Sequence, residues 1–167
     1  MAKEPKYPLE QVLDVKKDRV EKAEKVVKEK KRALEIEEEK LKKIEKERDI
    51  VLNHHKDKLA QLRKALDEGT TSDEVLQMKA YLKVVKEKLI KEEAKVKEQQ
   101  KQVKTAEQNL ETAKQDLHRK RMEVEKIQLH KEEWTKETRK EMQREEAKEH
   151  DEVGTTMHQA HKRKHKQ

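Results

Sequence analysis

The sequence predicts an all-α protein, two long helices folded into one antiparallel coiled-coil hairpin. Three observations carry that prediction. The chain is rich in charge and poor in helix breakers, its second half holds an uninterrupted apolar heptad, and a single glycine sits near its midpoint.

Charged residues make up 49% of the 167 residues, against 31% hydrophobic and 2% aromatic. That apolar supply is too thin for the broad core of a compact domain. The Glu, Lys, Ala, Leu, Gln and Arg that dominate are the residues of long helices and coiled coils. Disorder shares the high charge and low hydrophobicity, so the periodicity has to separate the two.

Residues 1–8 form an N-terminal arm holding both prolines, Pro5 and Pro8, neither of which can sit inside a helix. A helical hairpin is expected over 9–150. Its first helix carries a stripe of Leu9, Val12, Leu13, Val20, Ala23, Val27, Leu34, Leu41, Ile44 and Val51. A second stripe of Leu52, Leu59, Leu62 and Leu66 is offset by about one residue, which reads as a stutter relaxing the supercoil near Val51.

The turn is placed at 69–71, within "LDEGTTSDEV". Gly69 can adopt the left-handed conformation that ends a helix. Thr71 and Glu74 then fit a capping box, the hydroxyl on the Glu74 amide and the carboxylate reaching back. So short a connection makes the two helices antiparallel neighbours.

The second helix decides for order over disorder. Val75, Leu82, Leu89, Val96, Val103, Leu110, Leu117 and Val124 recur every seven residues. Three residues after each stand Met78, Val85, Glu92, Gln99, Ala106, Ala113, Lys120 and Ile127. This is an a/d seam, complete at a and polar at d through its middle. Facing residues should have numbers summing to 141, which pairs Leu66 with Val75, Leu59 with Leu82, Leu52 with Leu89 and Tyr7 with Trp134. Arg48, Glu92 and Gln99 make the middle the weakest part. At 1.5 Å per residue the arms span roughly 90 and 120 Å, so the second helix should overhang the first.

Residues 151–167 are read as a basic, histidine-bearing flexible tail. Its last stretch, "HQAHKRKHKQ", carries Lys162, Arg163, Lys164 and Lys166 with no acid, four of the formal charges behind the net +7. The remainder is nearly balanced in sign, unlike the one-sided stripe of a nucleic-acid binder. No specific nucleic acid is therefore expected.

Function narrows by elimination. Without cysteine there is no disulfide framework, zinc–thiolate site or thiol nucleophile. No apolar run reaches the roughly 20 residues of a membrane span, and "MAKEPKYPLE" lacks the apolar core of a signal peptide. The protein is thus expected to be intracellular and not an integral membrane protein. There is no Gly-rich phosphate loop, HExxH or GxSxG, so no enzyme, cofactor or metal is expected. The adjacent His54 and His55 diverge on a helix, and His158, His161 and His165 are read as incidental tail residues. The aromatic residues Tyr7, Tyr81 and Trp134 remain, with Trp134 expected to close the terminal end against Tyr7.

The segment "YPLEQVLDVKKDRVEKAE", from Tyr7 to Glu24, together with "LDEGTTSDEV" and the long hairpin, resembles the YscO/FliJ family of type III secretion stalk proteins. The likeness runs over nearly the whole chain and is strongest to the chlamydial YscO-like members. It implies a hairpin similar to the central-stalk gamma subunit of rotary ATP synthases, working at the cytoplasmic face of the bacterial export apparatus. The implied partners are the hexameric secretion ATPase, export-gate components and cargo chaperones. By the same analogy the terminal end enters the ATPase ring, making Tyr7, Leu9, Val12, Leu13, Lys16, Arg19 and Trp134 the expected partner-binding residues. A structural spacer or chaperone-like adaptor without an ATPase is the alternative, and a basic-tailed adaptor for nucleic acid or membrane is a third.

Overall fold

A computed structural model describes residues 5–164. Helix α1 runs over Glu10–Glu68 and helix α2 over Ser72–Lys164, packed against each other as a hairpin. The described residues contain no strand.

Between the helices lie only Gly69, Thr70 and Thr71. Gly69 has φ +80°, the left-handed conformation that lets α1 stop and the chain reverse. The Glu74 amide donates to the Thr71 hydroxyl at 3.4 Å. The Glu74 carboxylate in turn accepts from the Thr70 hydroxyl and the Thr71 backbone amide, which hold its pKa below the ordinary range. The capping box forms as the spacing predicts.

The chain divides into two units. One comprises Ala23–Asp116, the turn-proximal parts of both helices. There the a and d positions of α2 from Val75 to Ala113 are all buried or half-buried. On α1 the positions 48, 51, 55, 58, 62 and 65 are buried or half-buried too, so the heptad continues through Val51 without the expected stutter. His55 and Lys58 can hold seam positions by laying their apolar portions along the groove. Leu52 and Leu59 flank the seam and widen it, whereas Leu66, expected opposite Val75, stays 51% exposed.

This unit also holds a polar layer. Gln99 donates to the Glu37 carboxylate at 2.6 Å and to its backbone carbonyl at 3.1 Å. Lys40 foremost, and then Gln99, hold the Glu37 carboxyl below the usual range. Arg48 turns to Asp49 at 2.7 Å. Glu92 is 8% exposed, with one carboxylate oxygen on Lys95 at 2.9 Å and the other buried without a hydrogen-bond partner. A buried carboxylate half-satisfied in this way costs stability that a leucine in its place would contribute.

The second unit comprises the described residues up to Lys22 and from Leu117 onward. Leu13, 2% exposed, is its most deeply buried residue, with Tyr7 and Leu117 beside it in the buried set. The α2 seam reads on past Ile127 through Lys131, Trp134 and Thr138, each half-buried. Beyond Met142 every described residue is exposed.

Here the helix departs from expectation, since α2 does not end near residue 150 but continues to Lys164. Gly154 keeps a negative φ and costs only ~1 kcal/mol against alanine, too little to end a long helix. The Thr155 and Thr156 hydroxyls bond back to the carbonyls of Asp151 and Glu152, and the basic residues from Lys162 complement the helix C-terminus. Lys166 and His165 lie outside the described residues.

Candidate partner-binding surfaces

The terminal unit is organised around Tyr7. Pro8 biases Tyr7 away from helical geometry, and α1 begins directly afterwards at Glu10, whose amide reaches the Tyr7 carbonyl at 3.3 Å. The ring thereby turns inward, 6% exposed. It meets Trp134 edge-on, centroids 5.5 Å apart at 62°, the pair expected from the numbering rule. Its hydroxyl hydrogen-bonds His130 Nδ1 at 2.7 Å, and Lys131 Nζ stands 6.0 Å from the ring centroid. Lys131 also bridges to Glu10 at 2.6 Å. One aromatic residue and one ion pair thus pin the start of α1 onto α2.

About two turns further along, Lys16 pairs with Glu123 at 2.5 Å. Lys16 above all, with Arg119 and Arg19 adding their charge, keeps the Glu123 carboxyl below its ordinary pKa.

The seven residues expected to bind a partner therefore separate. Leu9, Val12 and Arg19 are exposed, and Trp134 is half-buried. Tyr7 and Leu13 are interior, and Lys16 is committed to Glu123. The first group is reachable by a partner, whereas the second shapes the end. Val15, Met122 and Leu129 are also exposed in this unit and were missed. They fall off the seam, and their only sequence signal is an apolar side chain where the heptad calls for a polar one.

The turn-proximal unit presents a second surface. Ile50, Tyr81 and Val84 line an open groove floored by Val51 and Val85 and flanked by His54 and Lys88. Ile50 is 69% exposed and Val84 61%. His54 Nε2 lies 2.9 Å from the Tyr81 hydroxyl, and Lys58 Nζ sits 5.6 Å from the Tyr81 ring. His55 instead enters the seam, so the two adjacent histidines do diverge. Nothing in the heptad singles out this groove, because it combines off-seam residues from both helices.

Neither surface carries a group of three His, Cys, Asp or Glu side chains able to hold a metal ion, among the described residues. No helix of the described residues is long and apolar enough to cross a membrane.

The profile of the YscO-like family, described as YscO-like protein, matches residues 4–164. The chain belongs to the YscO-like family. This makes it a type III secretion component, in a family of secretion structural and accessory proteins. Among solved structures, the chain is similar to CT670 of Chlamydia trachomatis, a proposed YscO homolog, at 56% identity and TM-score 0.92, covering 95% of this chain and 98% of that one. A chain from the Chlamydia pneumoniae CdsV and CdsO protein complex is also 56% identical, covering 50% of this chain and 98% of that one at TM-score 0.49. No curated protein matches the sequence. The antiparallel hairpin of this YscO-like chain is thus shared with a solved structure over nearly its full length.

Proposed function

We propose that this protein is the non-enzymatic stalk of a bacterial type III secretion system, peripheral at the cytoplasmic face of the apparatus. Its terminal end binds the hexameric secretion ATPase and couples that enzyme's assembly and activity to export. The observation that carries this reading is the exposed trio Leu9, Val12 and Arg19, in the same unit as the Tyr7–Trp134 contact. A small apolar patch bordered by positive charge supports weak contact with each subunit of a ring. Contacts that differ between ring states bias those states, whereas one tight anchor would stall the cycle.

The groove around Tyr81 is given to the second class of expected partner, an export-gate component or a cargo chaperone. Tyrosine is enriched among the residues that dominate interface energetics. The two surfaces belong to different units, which fits a protein that connects two partners.

The test measures ATP hydrolysis by the secretion ATPase from the same organism, with wild type and with a Leu9→Ala, Val12→Ala, Arg19→Ala variant. These positions are exposed, so the variant keeps its helicity by circular dichroism. Stimulation or ring assembly by the wild type, reduced at least several-fold in the variant, supports the stalk. Equal stimulation by both moves the contact away from the terminal end. No effect of either, with no co-sedimentation, returns the protein to a structural spacer.

A further inference from the structure

At the end of α2 every residue from Gln143 to Lys164 is exposed. Its last part is not uniformly polar. Val153, Met157, Ala160 and Lys164 are spaced by four, three and four, which places them on one helical face. Val153 is 53% and Met157 70% exposed. No acid follows Glu152, while Lys162, Arg163 and Lys164 crowd the final turn.

We propose that this terminal segment of α2 lies against an anionic lipid bilayer. The cations meet the headgroup charge, and Val153, Met157 and Ala160 face the acyl boundary. The occupant is argued from charge complementarity together with the apolar line. Clustered Lys and Arg next to an amphipathic helix are attracted to acidic lipid, and apolar side chains on the same helix add a shallow insertion. A nucleic-acid phosphate backbone would use the cations and leave Val153 and Met157 in water, so lipid accounts for more of what the segment presents. With so few apolar residues, the adsorption is reversible and depends on salt. This inference goes beyond the ring-contact reading and does not rest on it.

The full chain is tested by co-flotation with phosphatidylcholine vesicles, with and without phosphatidylglycerol. The expected result is retention only on the anionic vesicles, lost at high salt. Lys162→Gln, Arg163→Gln, Lys164→Gln together should lower partitioning about a hundredfold, at roughly fivefold per charge. A Val153→Ser, Met157→Ser variant, which keeps every charge, should lose roughly tenfold. Helicity of each variant is checked by circular dichroism, and binding to a DNA duplex is measured at the same salt. Absence of anionic-vesicle binding by the wild type overturns the proposal. So does a serine variant that binds vesicles unchanged, or a wild type that binds the duplex more tightly than the vesicles.

Discussion

Tyr7, which precedes the first helix, packs edge-on against Trp134 near the end of the paired part of the second, with ring centroids 5.5 Å apart. The contact joins residues far apart in the chain, and it settles where the terminal end closes. Tyr7→Ala removes the ring and its hydrogen bond to His130, and should cost about 3 kcal/mol. Trp134 is the only tryptophan, so its fluorescence reports the contact directly. The expected outcome is a red-shifted emission with a lower unfolding midpoint. Tyr7→Phe should lose only about 1 kcal/mol and keep the emission, because the ring contact survives.

Glu92 occupies a d position with one carboxylate oxygen buried and unpartnered. Glu92→Leu should stabilise the hairpin by about 2 kcal/mol, through removal of a desolvated charge and gain of apolar burial. Urea unfolding checks this: the midpoint should rise with an unchanged slope. An unchanged or lower midpoint would mean that the carboxylate is compensated by solvent.

The Lys16–Glu123 pair makes stability depend on acid. Lys16, with Arg119 and Arg19, depresses the Glu123 pKa in the folded state. The native state therefore binds fewer protons than the unfolded one in this range. The stabilisation is complete above the unfolded glutamate value of about 4.3 and is lost as pH falls through the lower folded value. A thermal melt series from neutral to acid pH should show the loss, and Glu123→Gln should flatten that part of the curve.

The two glycines should respond to alanine with opposite signs. Gly69 sits at φ +80°, where an L side chain is strained, so Gly69→Ala should destabilise by about 1 kcal/mol. Gly154 is helical, and a Cβ there meets open space. Gly154→Ala should raise the helicity of the terminal segment, a local gain of about 1 kcal/mol. Circular dichroism at 222 nm and thermal melts of both variants distinguish the two effects.

The candidate site was only partly legible before the fold. Tyr7 and Trp134 stood out because aromatics are scarce in this chain, and the antiparallel numbering paired them correctly. That numbering could not tell which of Leu9, Val12, Leu13 and Lys16 face outward, since Leu9, Leu13 and Lys16 share the four-three spacing of the seam with Val12 beside it, and Leu9 falls just before α1 begins. Leu13 goes in, Lys16 turns to Glu123, and Leu9 and Val12 remain outside. Val15 and the Ile50–Tyr81–Val84 groove were illegible, because off-seam residues become neighbours only when two helices lie side by side.

What the sequence by itself determined is the hairpin: two helices, their direction, the reversal at Gly69 and the a/d seam of α2. These follow from local backbone preference and a seven-residue repeat, both written along one dimension. Tertiary structure alone decided which polar seam residues find partners, that the α1 repeat runs through Val51 unbroken, and which apolar side chains stay outside. Those outcomes depend on distances between side chains on different helices. A periodic pattern allows several such arrangements, and packing selects one.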